Sequence, residues 1–181
     1  MIGLLIIDMQ QAFDLPGWGE RNNPQAENRA QELLAAFRSQ GRPVLHVQHV
    51  SDQPESFFHT AEAQAFKAGF EPVGTEPVFQ KRVNSAFIGT DLEQYLRQAG
   101  IDQLVIVGLT LPHCVSTTTR MAGNLGFQVS LVADATATFT LPDLKGNLLA
   151  LDLLHQVHLA SLQGEFAQVL ETKEVLEMLE K

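Results

Sequence analysis

The sequence predicts an α/β fold, a parallel sheet with helices packed on both of its faces. Short apolar runs alternate with stretches of helical period along the whole chain, which is the order of βαβ units. The clearest runs, GLLII at residues 3–7 and LVIV at 104–107, are apolar at every position, as strands buried on both faces must be. Hydrophobic residues make up 45% of the 181, enough to give one domain, residues 1–181, a full core rather than a disordered chain.

Taken in order, residues 3–7 form the first strand, ended by Asp8. Asp is depleted in strands, and a carboxylate at the carboxyl end of a central strand stands where open α/β sheets place ligands. Residues 10–21 are a loop with Pro16, Gly17 and Gly19, in which Phe13 and Trp18 line a pocket or cover the core. Residues 24–39 form a helix: Pro24 suits its first turn, Ala30, Leu33, Leu34 and Phe37 share a face, and Gly41 follows its end. The second strand is 43–50. Its His46 and His49 point to opposite faces, so they cannot jointly hold a metal from one regular strand.

Residues 51–77 make a long irregular excursion with a short helix around 60–67; excursions of this length tend to be functional or to cover a partner. From Val78 the piece VFQKRVNSAF is extended. Its Lys81 is a surface residue on an edge strand or the partner of a carboxylate, and the residues alone favour the surface. A helix over 89–99 follows, with Thr90 as N-cap, Glu93 completing a capping box and Gly100 as its stop.

Residues 103–126, QLVIVGLTLPHCVSTTTRMAGNLG, are the stretch around which the chain is organised. A buried strand at 104–107 is broken by Gly108, Pro112 disfavours helix just before it, and a helix runs from Cys114 to a stop at Gly126. The one cysteine thus sits at a strand-to-helix turn. The unpaired N–H groups and dipole there lower a thiol pKa and can hold an oxyanion. The remaining elements are a strand at 127–133 ended by Asp134, a loop at 135–143 with Phe139, a helix at 145–162, a strand at 165–170 and a helix at 172–181 capped by Thr172. His155 and His158 share a face of the 145–162 helix and suit packing or a subunit contact better than a metal.

The net charge of −9 speaks against nucleic acid and anionic membrane surfaces as partners. A single Cys excludes an internal disulfide framework and suits a cytoplasmic protein. The start, MIGLLIIDMQ, has no basic flank and too short an apolar run for a signal peptide or a membrane span. No G-x-G-x-x-G or P-loop signature supports a nucleotide.

Three separated pieces fit one pattern: LLIIDMQQAF with Asp8, FQKRVNSAF with Lys81, and VIVGLTLPHCVSTTTRMAGNLGF with Cys114. Together they resemble the isochorismatase-like cysteine hydrolase superfamily, in order and over most of the chain, as far as DATATF at 134–139. The resemblance implies a three-layer α/β/α fold around a six-stranded parallel sheet and a homo-oligomer. It also implies a catalytic set on Asp8, Lys81 and Cys114, which moves Lys81 from the surface into the site. It places a cis peptide at Leu109–Thr110 and an oxyanion hole at the backbone of Thr110 and Cys114.

The function implied is hydrolysis of a C–N bond in a small amide, ureide or carbamoyl compound through a thioester, with no cofactor. Superfamily members that bind zinc carry Asp-x-His after the second strand. Here that place reads His49-Val50-Ser51, so no metal is expected. Phe13, Trp18, His49, Asn84, Phe87, His113 and Phe139 are the candidate substrate lining. Two other classes fit a lone cysteine: a redox-sensing thiol, which here has no second Cys to resolve a sulfenate, and a catalytically dead oligomeric scaffold.

Overall fold

The apolar runs lie side by side in one six-stranded sheet, every pairing parallel, in the spatial order β3-β2-β1-β4-β5-β6. The computed structural model describes residues 1–180. Along the chain run β1 (Ile2–Ile7), a 3-10 turn (Gln11–Asp14), α1 (Ala26–Ser39), β2 (Val44–His49), α2 (Ala61–Gln64), β3 (Val78–Lys81) and α3 (Leu92–Gln98). Then come β4 (Gln103–Leu109), a π turn (Leu111–Val115), α4 (Ser116–Asn124), β5 (Gln128–Ala137), α5 (Leu151–Ala160), β6 (Gln168–Leu170) and α6 (Thr172–Leu179).

Successive residues of the central strands enter opposite cores, which is why those strands show no polar alternation. Leu4 and Ile6 pack with Leu33 and Phe37 of α1 and Val175 of α6, whereas Leu5 and Ile7 pack with Leu92 and Leu96 of α3 and Ala122 of α4. Each fully buried Leu or Ile contributes roughly 1.5–3 kcal/mol, so the two layers fix the register of β1. The chain leaves β1 towards β2 and β3, then returns to β4 on the other side of β1. The carboxyl ends of β1 and β4 therefore open at the crevice where the order reverses, the place at which such sheets accept ligands.

Several boundaries differ from expectation, each for a local reason. Strand β4 does not break at Gly108 but runs through it, with φ 134° and a register shift against β5 between Ile106 and Gly108. A Cβ there would lie 2.0 Å from the Ile7 carbonyl oxygen, so glycine permits the close approach of β4 to β1. Strand β5 continues past Asp134, whose carboxylate accepts from the Thr172 N–H and Oγ1 (2.8 Å each) and ties β5 to α6. Glu171, not Thr172, caps α6, in a capping box with Glu174. The expected end of that helix at Lys181 lies outside the described residues.

Thr90 stands one residue ahead of the N-cap, Asp91, though its hydroxyl accepts from the Leu92 N–H that opens α3, at 3.3 Å. Its hydroxyl donates to the Ala86 carbonyl, and Glu93 reaches Arg97 at 3.3 Å. Helix α5 starts only at Leu151, because Asp143 captures the N–H groups of Lys145 and Asn147 (2.8 Å each) in a side-chain turn. Leu148, Leu149, Leu153 and Val157 are left exposed. Among the described residues no helix is long and apolar enough to cross a membrane.

Candidate active site

Neighbouring parallel strands release their carboxyl ends side by side. Lys81 is the last residue of β3, His49 the last of β2, Asp8 follows β1, and Cys114 lies in the turn after β4. Because β3, β2, β1 and β4 are consecutive in the sheet, these four residues meet. The β2–β3 register sets His49 directly beside Lys81.

Asp8 has φ 52°, a left-handed backbone that Asp and Asn tolerate better than most residues. Its N–H donates to the Val47 carbonyl at 3.0 Å, and its side chain is fully buried. Lys81 shares its strand face with Phe79 and turns inward with it, so the surface position favoured by the residues alone does not hold: its side chain is 0% exposed. Nζ lies 2.7 Å from Asp8 Oδ2, 2.9 Å from His49 Nδ1 and 3.2 Å from Cys114 Sγ. An ammonium has three hydrogens and no lone pair, so three acceptors satisfy it.

Burial pushes the Asp8 carboxyl above its ordinary value, against the opposing pull of Lys81. Burial, with the Asp8 charge, pushes the Cys114 thiol up to about 12, again against Lys81. This reverses the lowered thiol pKa expected from a helix N-terminus. Cys114 sits inside the π turn ahead of α4, 7% exposed, and loss of solvent outweighs the dipole. Burial and the neighbouring Lys81 hold His49 at about 4. Among the described residues, Asp8 Oδ1 is buried with no hydrogen-bond partner.

Donor atoms of Asp8, His49 and Cys114 lie within 4.8 Å of one another, a spacing that suits a metal ion. Lys81 Nζ already stands among all three. Of the expected lining, Asn84 Oδ1 lies 3.8 Å from the sulfur and His49 Nδ1 4.0 Å. Trp18, His113 and Phe139 enclose a cavity of about 40 Å³ with Thr110, Pro112, Thr140 and Leu141. Phe13 stacks on Phe139 (ring centroids 5.7 Å) behind it. Phe87 does not join this group and packs on Phe127 instead, at 5.9 Å. The peptide bond Leu109–Thr110 is cis, and the Thr110 N–H has no backbone acceptor among the described residues.

Two contributors escaped the sequence. Gln10 is fully buried, and its amide grips the main chain of His49 from both sides: Nε2 donates to His49 O at 2.9 Å and Oε1 accepts from His49 N at 2.8 Å. A glutamine in a loop carries no pattern that would have shown this. Phe58 covers the His49 ring at 4.6 Å from inside the long excursion. The signal for Lys81 was present, since Phe79 and Lys81 are two apart on one strand. A larger cleft, about 560 Å³, lies elsewhere, among Asp14, Glu27, Gln31, Lys67 and Phe70. It touches none of the strand-end residues, and its lysine is already paired with Asp14.

Comparison with known proteins agrees with this architecture. The isochorismatase domain model matches residues 3–174. The isochorismatase family protein YrdC of Bacillus subtilis is 46% identical over 174 residues, 96% of this chain and 93% of that protein. The crystal structure of an isochorismatase-family protein from Chromobacterium violaceum superposes with a TM-score of 0.95 at 44% identity, covering 98% of this chain and 93% of that one. A streptothricin hydrolase of Streptomyces noursei is 32% identical over 144 residues, 77% of this chain and 50% of its own length. On a match that spans nearly every element of the sheet and the crevice at its carboxyl edge, the chain belongs to the isochorismatase family of hydrolases.

Proposed function

We propose that the chain is a cysteine-dependent amidohydrolase. It cleaves a C–N bond in a small amide, ureide or carbamoyl compound through a thioester on Cys114. One observation carries this: a single ammonium, Lys81 Nζ, bridges a buried carboxylate and a buried thiol, 2.7 Å from Asp8 Oδ2 and 3.2 Å from the sulfur. The likeness to a relative named as a streptothricin hydrolase supports hydrolysis.

With a pKa pushed up to about 12, Cys114 rests as the thiol. Attack on a carbonyl carbon requires its proton to leave, and the Asp8 carboxylate, with an oxygen within 4.8 Å of the sulfur, is its acceptor. The raised Asp8 pKa narrows the gap between the two acids, and Lys81 offsets the charge on whichever group carries it. The carbonyl oxygen, now an oxyanion, is held by the N–H groups of Thr110 and Cys114; loss of one such donor costs about 3 kcal/mol of barrier. The protonated Asp8 hands its proton to the departing nitrogen. Water, deprotonated by the same carboxylate, then cleaves the thioester to release the acid and restore the thiol. This sequence needs no cofactor. A peroxide-sensing role finds no support in a thiol that is buried, protonated and without a second cysteine.

The test is ammonia or amine release across a panel of amides, ureides and carbamoyl compounds, with intact-protein mass spectrometry of the quenched reaction. The expected outcome is turnover with an acyl adduct on Cys114, abolished in both Cys114→Ala and Asp8→Asn. Turnover near wild type in Cys114→Ala would refute the thioester route.

A further inference from the structure

Resting on that function, one residue beyond the acid, lysine and thiol is built into the site. Lys81 Nζ has a third hydrogen, and its acceptor is His49 Nδ1 at 2.9 Å. An ammonium has no lone pair, so Nδ1 accepts, and the neutral ring carries its proton on Nε2. The low pKa of His49, about 4, agrees with a ring that stays neutral. Three independent contacts hold this residue: the Gln10 amide on its main chain, Phe58 tilted against its ring at 4.6 Å, and Lys81 at Nδ1. Gln10 in turn is anchored by donating to the Gln64 carbonyl at 2.9 Å, which ties the arrangement to α2.

We propose that His49 is a positioning residue for the hydrolysis. By taking the third hydrogen of Lys81, it leaves one hydrogen on the Asp8 carboxylate and one on the Cys114 sulfur. The lysine side chain is flexible, and a buried ammonium with an unfilled hydrogen turns to find an acceptor. With His49 in place the two catalytic contacts are the ones that remain.

The experiment uses the single cysteine as its reporter. Alkylation of Cys114 by iodoacetamide at fixed alkaline pH is compared in wild type, His49→Ala, His49→Asn and His49→Gln, alongside kcat and KM on any amide the wild type turns over. Asn places its amide oxygen where Nδ1 stands; Gln places it near Nε2. Expected are a roughly ten- to hundredfold loss of alkylation rate and kcat in His49→Ala with KM little changed, rescue to within a few-fold by Asn, and no rescue by Gln. Unchanged alkylation in His49→Ala, or rescue by Gln equal to that by Asn, overturns the proposal. Should His49→Ala fail to fold, the comparison of Asn with Gln still decides. Alkylation needs no substrate, so absence of amide turnover in the wild type would refute the hydrolase alone. Wild-type turnover with His49→Ala equal to wild type in both assays would refute the role of His49 alone.

Discussion

Asp8 carries two demands in one side chain. Its backbone sits at φ 52°, where Asn is the natural substitute, and its carboxylate is buried against Lys81 and the thiol. Asp8→Asn is therefore expected to fold while removing the negative charge that helps to hold the thiol pKa up. The sign follows from the causes: burial and Asp8 raise it, Lys81 lowers it, so loss of Asp8 lowers it. Iodoacetamide should consequently label Cys114 faster in Asp8→Asn than in wild type at pH 8, even as amide turnover disappears. Slower labelling in the variant would show that the carboxylate activates the sulfur at rest rather than receiving its proton during attack. Cys114 was legible as a special residue because it is single and stands where the chain changes period. The upward shift of its pKa was not legible, since burial depends on what the rest of the chain packs over it.

Among the elements, β4 decides whether the crevice forms. Gly108 lets it lie against Ile7 just before Asp8, and its left-handed φ of 134° is one that side chains avoid. Gly108→Ala is expected to destabilise the fold by about 2–3 kcal/mol or more and to displace Asp8 relative to Cys114, seen as a lowered urea midpoint and lost turnover together. Loss of turnover at unchanged midpoint would place the effect in the site alone. The sheet was readable because strands buried on both faces are continuous apolar runs. Element ends were less so: Asp134 looked like a terminator but serves as an acceptor for α6, and the helix expected at 145–162 is shortened by a side-chain turn at Asp143. Such hydrogen bonds join residues far apart in sequence or override the helical period locally, and neither leaves a periodic trace.

At the scale of the molecule, the long excursion is fastened to the sheet by a half-buried hydrogen-bond network around Glu76. Arg38 of α1 and His46 of β2 both donate to Glu76, at 2.8 and 2.7 Å, and the Val73 N–H joins them at 3.1 Å. Burial alone would raise the Glu76 pKa, but these hydrogen bonds outweigh it and hold the carboxyl at about 2. Burial lowers His46 below its ordinary value. Both shifts have the same sign for stability. The unfolded chain takes up protons first at His46 and then at Glu76, so the contribution is present above about 6.5 and is lost progressively towards about 2. Glu76→Gln is expected to lose about 1–3 kcal/mol at neutral pH and to show a shallower fall of Tm between pH 6 and 3. A Tm profile parallel to wild type would mean that the network is not what acid dissolves. Because the excursion brings Phe58 to His49, loosening it reaches the site as well.

Lys81 has a consequence of a different kind. Its positive charge is delivered by the chain itself and stands among Asp8, His49 and Cys114. That charge takes its place as the sheet closes, set by the strand pairing that lays Lys81 beside His49.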